Sequence, residues 1–400
     1  MGGSPQRHLS GPVLPPGATL GVMGGGQLGA MFAMAAKRMG YRVEAVSDVA
    51  DCPAVHHCDR VHVLAYDDDA GLAAAARGLD VVTFEFENVP AAAARALADV
   101  VPVRPAADVL FTTQDRGREK AFLVRHGFPC APHRLVRSRA ELATAVAALG
   151  LPAVLKTAAF GYDGKGQRKL EAGGGASAVD QAWDELGGAA GRELVLEGWI
   201  DFDCEISVVA ARGLDGATAV FAPTRNDHVR HILDVSSTPA VLFEPVLAEA
   251  RRIAAAVLDA LGVVGVACVE FFVTRDGRVL VNEIAPRPHN SGHLTIAACE
   301  TSQFEQQVRA ICGLPLGSTK PLAAAAMANL LGDCWELAGG SPDWPAALAL
   351  PGVSLMLYGK SEPRRGRKMG HLTALAASAD EAIAKVRQAR AAACRTRGRG

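Results

Sequence analysis

Aromatic residues are scarce, 5% of the 400 residues, and excess charge is almost absent, with 41 Lys and Arg against 42 Asp and Glu leaving a formal net charge of −1. A balance that even supplies no long-range attraction to nucleic acid or to an anionic membrane. No apolar run reaches the roughly 18 residues that cross a bilayer. The opening MGGSPQRHLSGPVLPPG has no hydrophobic stretch of the kind that directs secretion. The nine cysteines show no CxxC spacing. Set in apolar contexts such as GVACVEFF and TIAACE, they read as buried free thiols in a reducing cytosol rather than disulfides. His56-His57-Cys58 has no second cluster at ligand spacing, so a metal centre there is not supported. The basic end, Arg395 to Arg399, is expected to be solvated.

Glycine, by contrast, is abundant, and its placement is informative. In KTAAFGYDGKGQ an apolar run, Ala153 to Leu155, delivers Lys156 into a loop holding Gly161, Gly164 and Gly166. Tyr162, Asp163, Lys165 and Gln167 stand among them. Glycines so spaced let backbone amides approach an anion, and the two lysines supply charge for a polyphosphate. A plain hairpin turn needs fewer. The Walker pattern is excluded, because Lys165 is followed by Gly166 and a returning strand instead of Ser/Thr and a helix.

Thr19 to Met23 predicts a strand that enters Gly24-Gly25-Gly26-Gln27-Leu28-Gly29 and a helix through about Met39. A second strand ends near Asp48. This βαβ start with G-x-G-x-x-G, taken alone, reads as a dinucleotide-binding oxidoreductase. Strands at Val61–Leu64 and Asp80–Glu85 extend the same parallel sheet. The second ends in Phe84-Glu85-Phe86-Glu87, with two carboxylates at a strand's carboxyl end, where ligands bind in such sheets. From Thr112 to His126 the pattern predicts one helix with Asp115, Arg116, Glu119 and Lys120 on polar positions. A long helix is expected over Pro245–Leu261.

Val266–Val273 and Val279–Ile284 flank Asp276-Gly277, a strong hairpin turn. Counting outward from a two-residue turn sets Val273 against Leu280 and Glu270 against Glu283. Like charges face to face are destabilising, more so in apolar strands. A hard divalent cation resolves the conflict, with Asn282 offering a neutral oxygen; an arginine meeting one acid is the lesser alternative. Next comes Ala285-Pro286-Arg287-Pro288-His289-Asn290-Ser291-Gly292-His293, a donor-rich loop that two prolines hold extended.

GYDGKGQ, the Glu270/Glu283 hairpin and NEIAPRPHNSGH resemble the ATP-grasp superfamily, and within it the N5-carboxyaminoimidazole ribonucleotide synthetases of purine biosynthesis. GGGQLG, FEFENV, QDR followed by Glu119-Lys120, TSQFE, GLPLG, Asn329 to Gly332 and YGKSEPRRGRKMGH carry the resemblance from about Gly21 to His371. It implies an α/β fold, with a leader (1–17), a βαβ parallel-sheet pre-ATP-grasp domain (18–110), a two-part α+β ATP-grasp unit (111–305, lid about 129–192), a small C-terminal segment (306–390) and a tail (391–400). It implies ATP-dependent carboxylation of 5-aminoimidazole ribonucleotide by bicarbonate through carboxyphosphate, with Mg2+, in a cytoplasmic homodimer that binds neither nucleic acid nor membrane.

By position, the resemblance assigns ATP contacts to Arg116, Lys156, Gly161, Tyr162, Asp163, Gly164, Lys165, Gly166, Gln167, Glu197, Gly198, Trp199, Ile200, Glu205, His228, Asn282 and Glu283. Glu270 and Glu283 take the metal. Asp163, Arg287 and His289 surround bicarbonate and the amine, with His289 at its ordinary pKa near 6.5 free to shift a proton at neutral pH. Gly26, Gln27, Leu28, Glu85, Asn290, Ser291, Lys360 and Arg367 face the ribonucleotide, the last two on its phosphate. Ala158-Ala159, Ala30 and Arg225 depart from the family pattern. Another ATP-grasp ligase or a silent regulator with this fold stay open as alternatives.

Overall fold

The computed structural model describes residues 11–159 and 165–395. Gly161, Tyr162, Asp163 and Gly164 therefore lie outside the described residues, as do residues 1–10 of the leader and 396–400 of the tail.

Four strands form the first sheet: β1 (Thr19–Met23), β2 (Arg42–Ser47), β3 (Arg60–Val63) and β4 (Val81–Phe84), in the order β3-β2-β1-β4 and all parallel. β1 is buried along its whole length, as a strand covered on both faces must be. The helix Gln27–Arg38 packs Phe32 in one apolar cluster with Phe304, Val308 and Ile311 of the helix Gln303–Ile311, so distant sequence closes this layer.

The single helix expected over Thr112–His126 is two. One runs Ala107–Thr113 and the next Arg116–Arg125. Asp115 interrupts them because its carboxylate caps the second helix, accepting from the Arg118 amide at 2.9 Å. Glu119 and Lys120, expected on a polar face, are buried, each 1% exposed.

The second sheet is antiparallel, β5 (His133–Val136), β6 (Ala153–Thr157), β7 (Gln167–Leu170) and β8 (Leu194–Gly198), ordered β5-β8-β6-β7. The glycine-rich loop joins β6 to the returning β7, with Lys156 opposite Gln167.

The third sheet holds β9 (Phe202–Arg212), β10 (Thr218–Val220), β11 (Thr224–Val229), β12 (Ile232–Thr238), β13 (Gly265–Thr274), β14 (Val279–Ala285), β15 (Ala324–Leu331), β16 (Val353–Leu357) and β17 (Lys368–Ala376). Its order is β14-β13-β9-β11-β12-β15-β17-β16, with β10 beside β9. The sheet thus crosses the 305/306 boundary without interruption. Against it the helix Glu244–Leu261 buries Leu247, Ile253, Val257 and Leu258 among Ile206, Val208, Val269, Phe271 and Val281. Pro245 opens this helix and Gly262, at φ 66°, ends it.

Two expectations need correction here. Val273 faces Val279 rather than Leu280, because the turn is longer than two residues, and a β-bulge between Glu270 and Phe271 in the register then restores Glu270 opposite Glu283. Cys334 and Cys394 form a disulfide, S–S 2.07 Å, whereas the other seven cysteines are free. The pairing was invisible in sequence because 60 residues separate the two. Packing of the helices Asp333–Ala338 and Ala379–Ala393 against the same sheet brings them together.

Candidate active site

The facing carboxylates sit where β13 and β14 meet the loop 286–293. Glu270 lies 2.8 Å from His289 Nε2, and Glu283 lies 3.8 Å from Arg116. Burial raises the Glu270 carboxyl pKa, but His289 overrides it and draws it down to about 2; Glu283, partly open to solvent, is still pushed up by the protein enclosing it and by Glu270. The arginine alternative is therefore present in a weak form, on Glu283 alone. His289 is not a free base: against burial, Cys268 and Glu270 raise it to about 10. The Glu270 carboxylate 2.8 Å away favours its protonated form, a departure from the expectation of an unperturbed histidine.

Among the described residues there is no group of three or more His, Cys, Asp or Glu suited to a metal ion. The donor chemistry of the pair nonetheless fits magnesium. Two carboxylates face each other, and Glu283 keeps a side chain 45% exposed with only a long ion pair.

Beside this pair lies a lysine–glutamate cluster. Lys156 Nζ bonds Glu197 at 2.8 Å and Lys120 Nζ stands 3.7 Å from its other oxygen, Oε1, which is buried without a hydrogen bond. The two lysines overcome burial and pull Glu197 down to about 2. Lys120 escaped assignment, although it falls three residues before the buried Leu123, on that helix's inward face. Arg116 donates to the Thr157 carbonyl at 3.0 Å, and its amide to the Ala158 carbonyl at 2.7 Å, which ties the helix start to the end of β6. Gly198 ends β8; Trp199 follows it with Lys169 stacked 4.0 Å over its ring, and Ile200 comes next. Glu205 and His228 pair at 3.3 Å across β9 and β11, and Glu205 lifts the histidine's pKa against burial. Arg225 pairs with Asp227 at 3.7 Å.

On the first sheet, Glu85 turns back on the glycine motif. Its carboxylate accepts the amides of Gly26 and Gly29, the latter at 2.7 Å. The protein's own anion thus fills the helix N-terminus where a dinucleotide pyrophosphate would lie, and Asp48 is exposed. The oxidoreductase reading fails on that point. Leu28 belongs to the apolar cluster around Phe32, so its side chain faces the core. Gln27 begins the helix beside it.

Arg287 pairs with Glu87. Asn290 holds both side-chain polar atoms buried without a partner, as a residue awaiting a ligand does. Ser291 is turned into the sheet instead: fully buried, it bonds His289 Nδ1 at 2.8 Å and Ser207 at 2.7 Å. Gln303 was missed. It accepts the His289 amide and donates to its carbonyl, both at 2.8 Å, holding that residue from outside the loop. Lys360 Nζ donates to the Lys368 carbonyl and Arg367 to that of Glu362, each at 2.8 Å. Burial, then Arg367, lowers Lys360 to about 8. This loop reaches the first sheet's domain through Ser361 and Asp51, 2.9 Å apart.

A small antiparallel sheet carrying Lys156, set beside facing carboxylates on a larger one, defines an ATP-grasp enzyme. The ATP-grasp domain family matches residues 121–304, the ribonucleotide synthetase pre-ATP-grasp domain 17–114, and the phosphoribosylaminoimidazole carboxylase C-terminal domain 325–385. The chain is 45% identical over 362 residues to N5-carboxyaminoimidazole ribonucleotide synthase of Brucella melitensis, covering 90% of this chain and 97% of that one. It superposes on an ADP complex of N5-carboxyaminoimidazole ribonucleotide synthetase with TM-score 0.89 at 40% identity, over 95% and 98% of the two chains. An Aspergillus clavatus N5-carboxyaminoimidazole synthase, in complex with ADP and 5-aminoimidazole ribonucleotide, matches with TM-score 0.82 at 28% identity over 94% and 98%. The chain belongs to the N5-carboxyaminoimidazole ribonucleotide synthase family.

Proposed function

We infer that this chain is an ATP-dependent ligase that carboxylates 5-aminoimidazole ribonucleotide with bicarbonate, giving N5-carboxyaminoimidazole ribonucleotide, ADP and phosphate in purine biosynthesis. The observation that carries the reading is the Glu270/Glu283 pair beside the Lys156–Glu197 cluster, in a chain of this family.

In the first half-reaction a bicarbonate oxygen attacks the γ-phosphorus, the bond to the β-phosphate oxygen breaks, and ADP leaves carboxyphosphate behind. Lys156, Arg116 and the loop residues Gly161 to Gln167, Lys165 among them, grip the phosphates. Glu197 to Ile200, at the end of β8, form the hinge whose backbone amide and carbonyl read the adenine edge. Glu205 and His228 face the ribose. Glu270 and Glu283, with Asn282 offering a neutral oxygen, would hold magnesium, which when bound would neutralise phosphate charge.

In the second half-reaction the amine nitrogen of the ribonucleotide bonds to the carboxyl carbon and phosphate leaves with the C–O electron pair. Arg287, already desolvated against Glu87, offsets charge on the carboxyl oxygens. His289, hydrogen-bonded to Glu270, relays the proton that the amine gives up to the departing phosphate, a transfer to which Asp163 is also assigned. Glu85 and Gln27, with Gly26 and Leu28 beside them, line the substrate side together with Asn290. Lys360 and Arg367 take its phosphate, a paired-cation site. Family resemblance extends the proposal to a cytoplasmic homodimer.

Release of ADP, followed in a coupled assay, is expected to require both bicarbonate and aminoimidazole ribonucleotide for full rate. A rate indifferent to the ribonucleotide overturns the acceptor assignment. Glu283→Gln is expected to abolish ATP turnover, since it removes a magnesium ligand; ordinary turnover by it at ordinary magnesium would remove the basis of the carboxylate reading.

A further inference from the structure

Glu119 and Lys120 are consecutive charged residues buried as deeply as core leucines, 1% exposed each. Ionisable groups at that depth are unfavourable unless each has a specific partner. Both have partners on one strand. Glu119 Oε2 accepts the Ile284 amide at 2.8 Å, and Lys120 Nζ donates to the Asn282 carbonyl at 2.8 Å. These groups belong to the two peptide units on either side of Glu283.

The β-bulge explains why side chains are needed there. In a regular strand the backbone groups of residues three apart point to opposite sides. On β14 the Val281 amide points outward to the Pro129 carbonyl at 2.7 Å, and the Ile284 amide, three residues on, also points outward. The extra residue of the bulge reverses the alternation and turns the Asn282 carbonyl and Ile284 amide away from β13. Left buried without partners, such groups destabilise the bulge by the loss of their hydration. Without a bulge, the register near the turn, Val273 opposite Val279, would continue to place Asn282 opposite Glu270 and Glu283 on the other face.

We propose that Glu119 and Lys120 are positioning residues for the phosphoryl-transfer step, clamping the peptide units around Glu283 so that its carboxylate stays opposite Glu270. The proposal rests on the reading that these two acids hold the nucleotide's metal, and the test separates the two. Binding of Mn2+·ADP and of metal-free ADP is measured by calorimetry on the full chain. Glu119→Leu and Lys120→Met are expected to weaken Mn2+·ADP by about ten- to a hundred-fold, the usual loss when a residue supporting a metal ligand is removed. Metal-free ADP is expected to change far less for Glu119→Leu, and Glu119→Gln, which keeps an acceptor for Ile284, to recover most of the metal-dependent affinity. Wild-type affinity for Mn2+·ADP in Glu119→Leu overturns the clamp, as does equal weakening of metal-free ADP. Glu283→Gln is the control: if it binds Mn2+·ADP normally, the metal reading fails whatever Glu119 does. Should Glu119→Leu not fold, Lys120→Met and exchange of the wild-type Ile284 amide decide. Protection like that of the β13 interior supports the clamp, and rapid exchange removes it.

Discussion

Lys360 stands near a second cation, Arg367, in a partly dehydrated loop, and burial with that repulsion brings its pKa to about 8. Only the ammonium attracts a phosphate, so as pH rises through about 8 the free enzyme loses the charge the substrate needs. The ratio kcat/KM for aminoimidazole ribonucleotide, which reports groups of the free enzyme, is expected to fall above that pH. Lys360→Arg keeps its charge and should abolish the alkaline limb; a limb that persists in it would assign the titration elsewhere. Arg367 supplies the fork beside it. Losing a charge-assisted contact costs on the order of 1.5–3 kcal/mol, so Arg367→Ala should raise the Michaelis constant for the ribonucleotide roughly ten- to a hundred-fold. That for ATP should hardly move. Arg364, exposed and paired with Glu362 at 2.7 Å, should be neutral to both when replaced by alanine. Weakening of ATP alone by Arg367→Ala would refute the phosphate assignment.

At the scale of elements, β7, which follows the glycine-rich segment in sequence, is an edge strand of a four-stranded sheet, with Lys169 stacked on Trp199. An edge strand with exposed residues opens more readily than the buried β6 and β8. ATP with magnesium should slow amide exchange from Lys165 to Leu170 as phosphates gather the loop amides and lysine. Exchange unchanged by nucleotide would count against a phosphate-covering loop. The hairpin shows how much an element can reveal in sequence. Facing acids were legible from Asp276-Gly277 and alternation, yet the count reached Glu270 opposite Glu283 through a register that the turn does not have. Two departures, a longer turn and a bulge, cancel. The bulge was illegible because its support, Glu119 and Lys120, comes from a helix about 160 residues away in sequence.

Across the whole molecule, one sheet runs from the carboxylate hairpin to the C-terminal strands, and the helix Ala379–Ala393 clasps it. Arg390 pairs with Asp234, and Arg387 meets Asp227 at 3.0 Å, next to His228. The Cys334–Cys394 disulfide ties down the end of that helix. Closing a loop of this length contributes up to about 4 kcal/mol by the chain-entropy relation. Mass analysis without reductant should find the linked pair of peptides, and reductant or Cys394→Ser should lower the melting temperature by several degrees. A melting temperature indifferent to both would show that the link carries no stability.

Local chemistry in the sequence determined the βαβ start, the glycine loop, the acid hairpin and the donor-rich turn after it, because each is written within a dozen residues by alternation, glycine spacing or proline. The motifs together determined the family. Only the tertiary structure decided that Glu85 closes the glycine motif to a dinucleotide, that His289 is bound to the Glu270 carboxylate, and that Ser291 faces the core. It also decided that Cys334 finds Cys394 and that a buried Glu119-Lys120 pair grips β14. Each of these is a contact between segments far apart in the chain, where burial and a distant partner, not the local pattern, set the energy of a charged or polar group.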